Sequence, residues 1–204
     1  MSTGRGAAAL RRATQGGAPP AGLRYRDGFL DVEEERDLIG RFRDLPFEEF
    51  EFHGYLAKRR VVYYGWQYRY DDRVLHPAGD VPDFLLPVRE RAAAFAGLAP
   101  EDLPHAMVTE YRPGTPIGWH RDKAVFGDVI GVSLLSPCVF RLRRRAEAGR
   151  WERWSFVAEP RSAYVLRGPA RGEWEHSIPE VPELRYSITF RSLREPGRRD
   201  IVAP

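Results

Sequence analysis

Arg185-Tyr186-Ser187-Ile188-Thr189-Phe190-Arg191 alternates without a break: Arg185, Ser187, Thr189 and Arg191 share one parity, and Tyr186, Ile188 and Phe190 the other. Successive side chains leave opposite faces of a strand, so this stretch predicts a strand with an apolar face for a core and a polar face carrying a guanidinium at each end. If the apolar face packs outward against a helix or another sheet, both arginines point into a barrel. Buried guanidinium has to be paired, so that interior is expected to hold anions. Arg185 and Arg191 lie ~20 Å apart along an ideal strand, further than one small dicarboxylate spans, and are therefore expected to do different jobs.

Outward from this strand, the second half of the chain keeps the same texture. Ala106 to Tyr111 and Ile117 to Asp122 read as strands around the turn Arg112-Pro113-Gly114, as do Val129 to Leu135, Cys138 to Arg145, Trp154 to Val157 and Ser162 to Leu166. Two helices precede them. Asp31, with Glu34 three residues on, opens one through Val32, Leu38, Ile39 and Phe42; the second runs over roughly 83–96, with Pro87 interrupting or kinking it. Helices followed by many short strands predict an α+β, mainly β fold, with helices packed on a sandwich or jelly roll rather than an alternating α/β sheet. Phe47 to Tyr70 is aromatic and strand-like, either a sheet with one face in the core or a lid over a substrate. Residues 1–22, rich in Gly, Ala and Pro, are expected to be a disordered tail before one domain at 23–204.

Hydrophobic residues at 43% and aromatics at 12% suit a globular chain of 204 residues. No apolar run reaches the ~18 residues of a spanning helix, and the N-terminus lacks a secretory apolar core, so neither a membrane nor a secretory route is expected. A lone cysteine, Cys138, fits a reducing cytoplasm and reads as a small buried hydrophobe. Only Lys58 and Lys123 accompany thirty arginines in a net charge of +3, so only local arginine clusters carry weight. Arg141, Arg143 and Arg145 share one strand face, either a phosphate track or a solvated surface.

Trp119-His120-Arg121-Asp122 places two hard-metal ligands two residues apart. That is two-thirds of the facial triad suited to Fe(II). Of the remaining histidines, His53, His76 and His105 have no supporting pattern and read as surface or core groups. His176, in Trp174-Glu175-His176-Ser177-Ile178, precedes the arginine strand and is the expected third ligand. A dicarboxylate at the metal would answer the buried arginines, with Arg185 on its far carboxylate and Arg191 either at its near end or orienting Asp122. Thr109 and Tyr111 share a face and could add hydroxyl donors.

Together, Thr109-x-Tyr111, His120-x-Asp122, His176 and Arg185-x-Ser187-x-Thr189-x-Arg191 resemble the AlkB family of Fe(II)- and 2-oxoglutarate-dependent dioxygenases, most plainly over residues 104–193. The resemblance implies a double-stranded β-helix holding iron through His120, Asp122 and His176. It implies 2-oxoglutarate on that iron, with Arg185 and Tyr111 at its distal carboxylate, Arg191 near its other end, and Thr109 and Ser187 standing where the founding bacterial member has asparagines in the same cofactor site. Family chemistry consumes O2 and 2-oxoglutarate, forms succinate and carbon dioxide, and hydroxylates an N-methyl group that leaves as formaldehyde. The implied substrates are alkylated bases of the 1-methyladenine or 3-methylcytosine type in DNA or RNA. The segment 47–70 would form the nucleotide lid, with Arg59, Arg60, Tyr63, Tyr64, Trp66 and Tyr68 facing the base. Ala124 stands where that member has an acid that reads the base, which leaves the base open. The rival readings are a hydroxylase of a protein side chain or small molecule and a catalytically silent nucleic-acid-binding module. A monomer is expected.

Overall fold

The computed structural model describes residues 18–52, 55–146 and 149–194; most of the expected tail, and His53, lie outside them. Two antiparallel sheets face one another. The larger has seven strands in the order β1 (Leu23–Arg26), β11 (Ser162–Leu166), β8 (Phe126–Leu134), β13 (Arg185–Leu193), β6 (His105–Tyr111), β3 (Tyr55–Tyr64) and β2 (Glu48–Phe52). The smaller has four: β10 (Trp151–Ala158), β9 (Cys138–Arg145), β12 (Glu175–Ile178) and β7 (Ile117–His120). A hairpin of β4 (Trp66–Tyr68) and β5 (Leu75–Pro77) stands apart. This is the jelly roll of the sequence reading, a mainly β fold.

Strand β13 sits between β8 and β6 and behaves as its alternation requires. Tyr186, Ile188 and Phe190 pack outward into a cluster with Phe42 and Leu38 of α1 (Val32–Phe42) and Val88 and Ala92 of α2 (Leu86–Ala96). Its polar face looks toward the small sheet, and Phe140, Leu142, Trp154 and Phe156 of that sheet form a second core with Tyr164 of β11. The helices therefore cover one face of the large sheet and the small sheet covers the other.

Helix α1 starts as expected. Asp31 accepts from the Glu34 amide at 2.8 Å, and Glu34 accepts from the Asp31 amide at 2.9 Å, a capping box that satisfies two donors. Pro87 does not kink its helix. A 3-10 turn covers Asp83–Leu85 and α2 begins at Leu86, so the proline falls in the first turn, where no intrahelical amide bond is lost. The aromatic stretch 47–70 also differs from a single lid. Strands β2 and β3 complete the edge of the large sheet, and only beyond Gly65 does the chain leave it for the β4–β5 hairpin. Gly65 has φ +72, and a Cβ there would overlap the Pro104 carbonyl, so this departure requires glycine.

Candidate active site

The small sheet sets His120 and His176 directly opposite each other in the β12–β7 pairing, with ring centroids 4.2 Å apart. His120 Nδ1 lies 2.9 Å from the Gly118 carbonyl, which can only accept, so the proton is on Nδ1 and Nε2 keeps its lone pair for a ligand bond. Strand β7 ends at His120, and Asp122 sits in the following loop, not on the strand as the sequence suggested. What directs it is Arg191, whose Nε donates to Asp122 Oδ1 at 2.9 Å and whose terminal nitrogen lies 2.8 Å from the same oxygen.

The other carboxylate oxygen, Oδ2, is buried without a hydrogen-bond partner and lies 3.7 Å from His176 Nε2. A buried carboxylate oxygen left unsatisfied is costly and calls for a cation. Two neutral imidazoles and one carboxylate, converging with such an oxygen, fit a divalent iron.

Electrostatics agree with that use. Burial alone would raise the Asp122 carboxyl, but Arg191, then His176 and His120, hold it well below the usual carboxylate range. Burial, reinforced by His120, pushes His176 down to about 3. His105 and His120 are lowered by burial as well. All three imidazoles are thus neutral when folded and take up protons on unfolding. Because their folded pKa values are depressed, their contribution to stability is present above the ordinary imidazole value and is lost as pH falls below it, for His176 down to about 3. The urea midpoint of the metal-free protein is therefore expected to decline from about pH 6.5 downward, the ordinary imidazole range. A flat profile across this window would contradict neutral buried imidazoles.

A residue that sequence reasoning passed over braces the loop after Asp122. Arg171, buried in α3 (Gly168–Gly172), donates to the carbonyls of Lys123 at 2.6 Å, Phe126 at 2.9 Å and Gly127 at 3.1 Å. Arg121 adds a bond to the Gly172 carbonyl at 3.2 Å. Nothing in Gly-Pro-Ala-Arg-Gly signals this, because the contact depends on where α3 lands.

A cavity of about 380 Å³ opens beside the triad. Beyond its wall Arg185 is 0% exposed. Its Nε and one terminal nitrogen donate to Ser133 Oγ at 3.2 and 3.1 Å, its face lies 4.7 Å from the Tyr111 ring, and its remaining terminal nitrogen has no partner. Among the described residues no carboxylate pairs with it. Tyr111 Oη lies 3.3 Å from Ser187 Oγ, and Thr109 Oγ1 is buried without a partner. Thr109, Tyr111 and Arg191 belong to the cavity wall, while Arg185 and Ser187 lie behind it. The arrangement offers a small diacid a buried cation and unspent hydroxyls.

The wall also carries Tyr63, Tyr68, Tyr70 and Arg59. Tyr64 is a correction: on β3 it has the opposite parity to Tyr63 and packs against the helix-side core. Arg60, of that parity too, is paired with Glu110 at 2.8 Å, and Trp66 is not part of the wall. Lys123 places its ammonium 4.5 Å from the Tyr70 ring centre and 5.3 Å from that of Tyr68. His105 is in the core, as expected, yet it also lines the cavity, 4.8 Å from Phe126 by ring centres. Cys138 is buried and its thiol is pushed up by burial, consistent with packing alone.

A jelly roll carrying two imidazoles, one carboxylate and a buried arginine for an acidic co-substrate defines the class of 2-oxoglutarate- and Fe(II)-dependent oxygenases, and residues 22–191 match the 2OG-Fe(II) oxygenase superfamily. The chain is 32% identical to the bovine mitochondrial alpha-ketoglutarate-dependent dioxygenase alkB homolog 7, covering 98% of this chain and 90% of the relative. Within the superfamily the chain belongs to the AlkB family. It is also 32% identical to an Arabidopsis thaliana alkylated DNA repair protein ALKBH8 homolog, over 85% of this chain but only 56% of that relative's length. In fold it is similar to the structure of OsALKBH1, with TM-score 0.68 at 15% identity over 87% of this chain and 99% of that one. It is similar also to a Pseudomonas putida prolyl-4-hydroxylase, with TM-score 0.55 at 15% identity over 85% of this chain and 93% of that one. It is therefore an enzyme that uses Fe(II), 2-oxoglutarate and O2.

Proposed function

We propose that this oxygenase removes an alkyl group from a nucleobase in DNA or RNA, with the base held against the tyrosine wall. The observation that carries this reading is the cavity wall, where Tyr63, Tyr68 and Tyr70 stand with Arg59 and Lys123 in the same cavity as the triad. Flat aromatic faces stack on an extruded base for ~1–3 kcal/mol each, and cations beside them suit its phosphates. The relative named for alkylated DNA repair supports the same substrate class.

In this reading His120, Asp122 and His176 hold the iron. Arg185, with Tyr111 and Ser187, takes the distal carboxylate of 2-oxoglutarate, and Thr109 adds a hydroxyl. When bound, iron and co-substrate together supply the oxidising power for hydroxylation of the alkyl carbon, with succinate and carbon dioxide as by-products. The chain's own residues do the rest. Arg191 keeps Asp122 ionised and aimed, the Gly118 carbonyl fixes the His120 tautomer, and Arg171 holds the loop that carries Asp122. The hydroxylated group then leaves the base as formaldehyde.

Local charge refines the choice of base. The Lys123 ammonium already lies over Tyr68 and Tyr70, and among the described residues Asp122 is the only carboxylate of the wall. A cationic base would compete with Lys123 for the same ring faces. A neutral alkylated base is favoured over the 1-methyladenine and 3-methylcytosine expected from the sequence. The test is formaldehyde release by anaerobically iron-loaded protein, given 2-oxoglutarate and then oxygen, on matched oligonucleotides carrying a neutral or a cationic methylated base. Release is expected from the neutral base first, and Lys123→Met should narrow the gap by about tenfold or more, the scale of one cation–π contact. Co-substrate turnover with no release from any oligonucleotide would overturn the nucleobase reading and leave the oxygenase.

A further inference from the structure

The outer face of the small sheet carries a ladder that the catalytic centre does not use. On β9, Cys138, Phe140 and Leu142 are buried, so Arg141, Arg143 and Arg145 point out. Their guanidinium groups interleave with two indoles. Arg141 lies 5.1 Å from the Trp119 ring centre and Arg143 lies 4.3 Å from it. Arg143 is also 4.2 Å from Trp151, and Arg145 is 4.3 Å from Trp151 on its other side in the sequence order. The row thus reads Arg141, Trp119, Arg143, Trp151, Arg145, and Arg153 of β10 stands exposed across from Arg143 in the strand register.

The counter-charges on this face are unevenly spread. Glu175 takes Arg143 at 2.7 Å, whereas Glu152 and Glu173 take Arg144, of the opposite parity, at 2.6 Å. Arg141 has only the Ser177 hydroxyl at 3.0 Å, and Arg145 only the Gly149 carbonyl at 2.7 Å. Among the described residues no carboxylate pairs with Arg141, Arg145 or Arg153. Packing alone does not call for three such cations beside one another. The row touches the cavity through Trp119, which stacks between Arg141 and Arg143, belongs to the cavity wall and precedes His120.

We propose that this ladder is the track for the phosphodiester backbone of a single-stranded nucleic acid whose alkylated base occupies the cavity, an inference that rests on the nucleobase reading above. Arginines two apart on a strand repeat every ~6.7 Å and present forked donors to successive phosphate oxygens. Stacking on indoles already restrains these side chains, so less conformational freedom is lost when an anion arrives. Arginine, not lysine, suits this role, since it can stack and still donate through its edge. A single strand is favoured over a duplex because the target base must leave the stack to reach the triad, and the tryptophans can receive its unpaired neighbours.

The experiment measures anisotropy of a fluorescein-labelled single-stranded oligonucleotide with iron- and 2-oxoglutarate-loaded protein under anaerobic conditions, across a salt series. The test variant is Arg141→Gln/Arg145→Gln/Arg153→Gln. A control of equal charge, Arg36→Gln/Arg41→Gln/Arg43→Gln, lies at α1, beyond the opposite face of the large sheet. At ~0.1 M salt the test variant is expected to bind at least tenfold more weakly, with the slope of log K against log salt reduced by about 2, the loss of three single-strand phosphate contacts. The control should keep the wild-type slope, and co-substrate turnover without oligonucleotide should match wild type in both, which shows the fold intact. If the test variant binds with wild-type affinity and slope, the track is wrong and the nucleobase reading survives. If the wild type itself shows no salt-dependent binding, both fall together.

Discussion

Arg185→Met is expected to raise the 2-oxoglutarate concentration for half-maximal succinate formation about a hundredfold or more, without destabilising the metal-free protein. The two halves of this result have one cause. Arg185 is wholly buried, bonded to the Ser133 hydroxyl, and without a carboxylate partner among the described residues. Truncating one member of a buried charge pair costs ~2–5 kcal/mol, which covers a hundredfold loss of affinity. Before the co-substrate binds, however, the guanidinium is an uncompensated buried charge, and replacing it with an apolar chain of similar length is neutral or favourable. The co-substrate should also cease to protect. Ligand at a hundred times its Kd stabilises the native state by ~2.7 kcal/mol, and in the variant that shift in the urea midpoint should vanish. A variant that loses several kcal/mol as apoprotein while keeping its 2-oxoglutarate response would make Arg185 a structural member of the sheet.

Asp122→Ala should behave in the opposite way in the apoprotein. Succinate formation is expected to fall at least a thousandfold, as for loss of an essential catalytic group, and Fe(II) or Co(II) should no longer titrate to one equivalent. The metal-free variant should in addition be less stable by ~3–5 kcal/mol, because the Arg191 side chain, 12% exposed, loses its only ion-pair partner among the described residues and stays buried. The contrast is informative. Arg191 has its counter-charge within the chain, whereas Arg185 has none among the described residues. Retained metal binding in Asp122→Ala would remove this carboxylate from the iron site, and unchanged stability would mean that Arg191 swings out to water.

Much of the architecture was legible because it depends on local periodicity. The alternation from Arg185 to Arg191 has one consistent solution, apolar face to the helices and polar face inward, since a one-residue slip would bury both guanidinium groups among Phe42 and Leu38. Asp31 with Glu34 marks a helix start because the capping box is satisfied within four residues. Pro87 was misleading only through the helix boundary: moving the start to Leu86 turns a breaker into a first-turn residue.

The sequence by itself determined the strand-rich class, the helix starts, and the set of chemically competent side chains, all of which follow from spacing along the chain. Tertiary structure decided which of those side chains meet. His120 and His176 are 56 residues apart and become neighbours only through the β12–β7 pairing. In the run Arg59 to Tyr64 both parities are amphipathic, so no pattern could say that Tyr63 faces the cavity and Tyr64 the helices until β3 took its register against β6. Arg171, Ser133 and Lys123 act through backbone carbonyls, a buried guanidinium and tyrosine faces supplied by distant segments. Their roles are properties of packing, which periodicity does not encode.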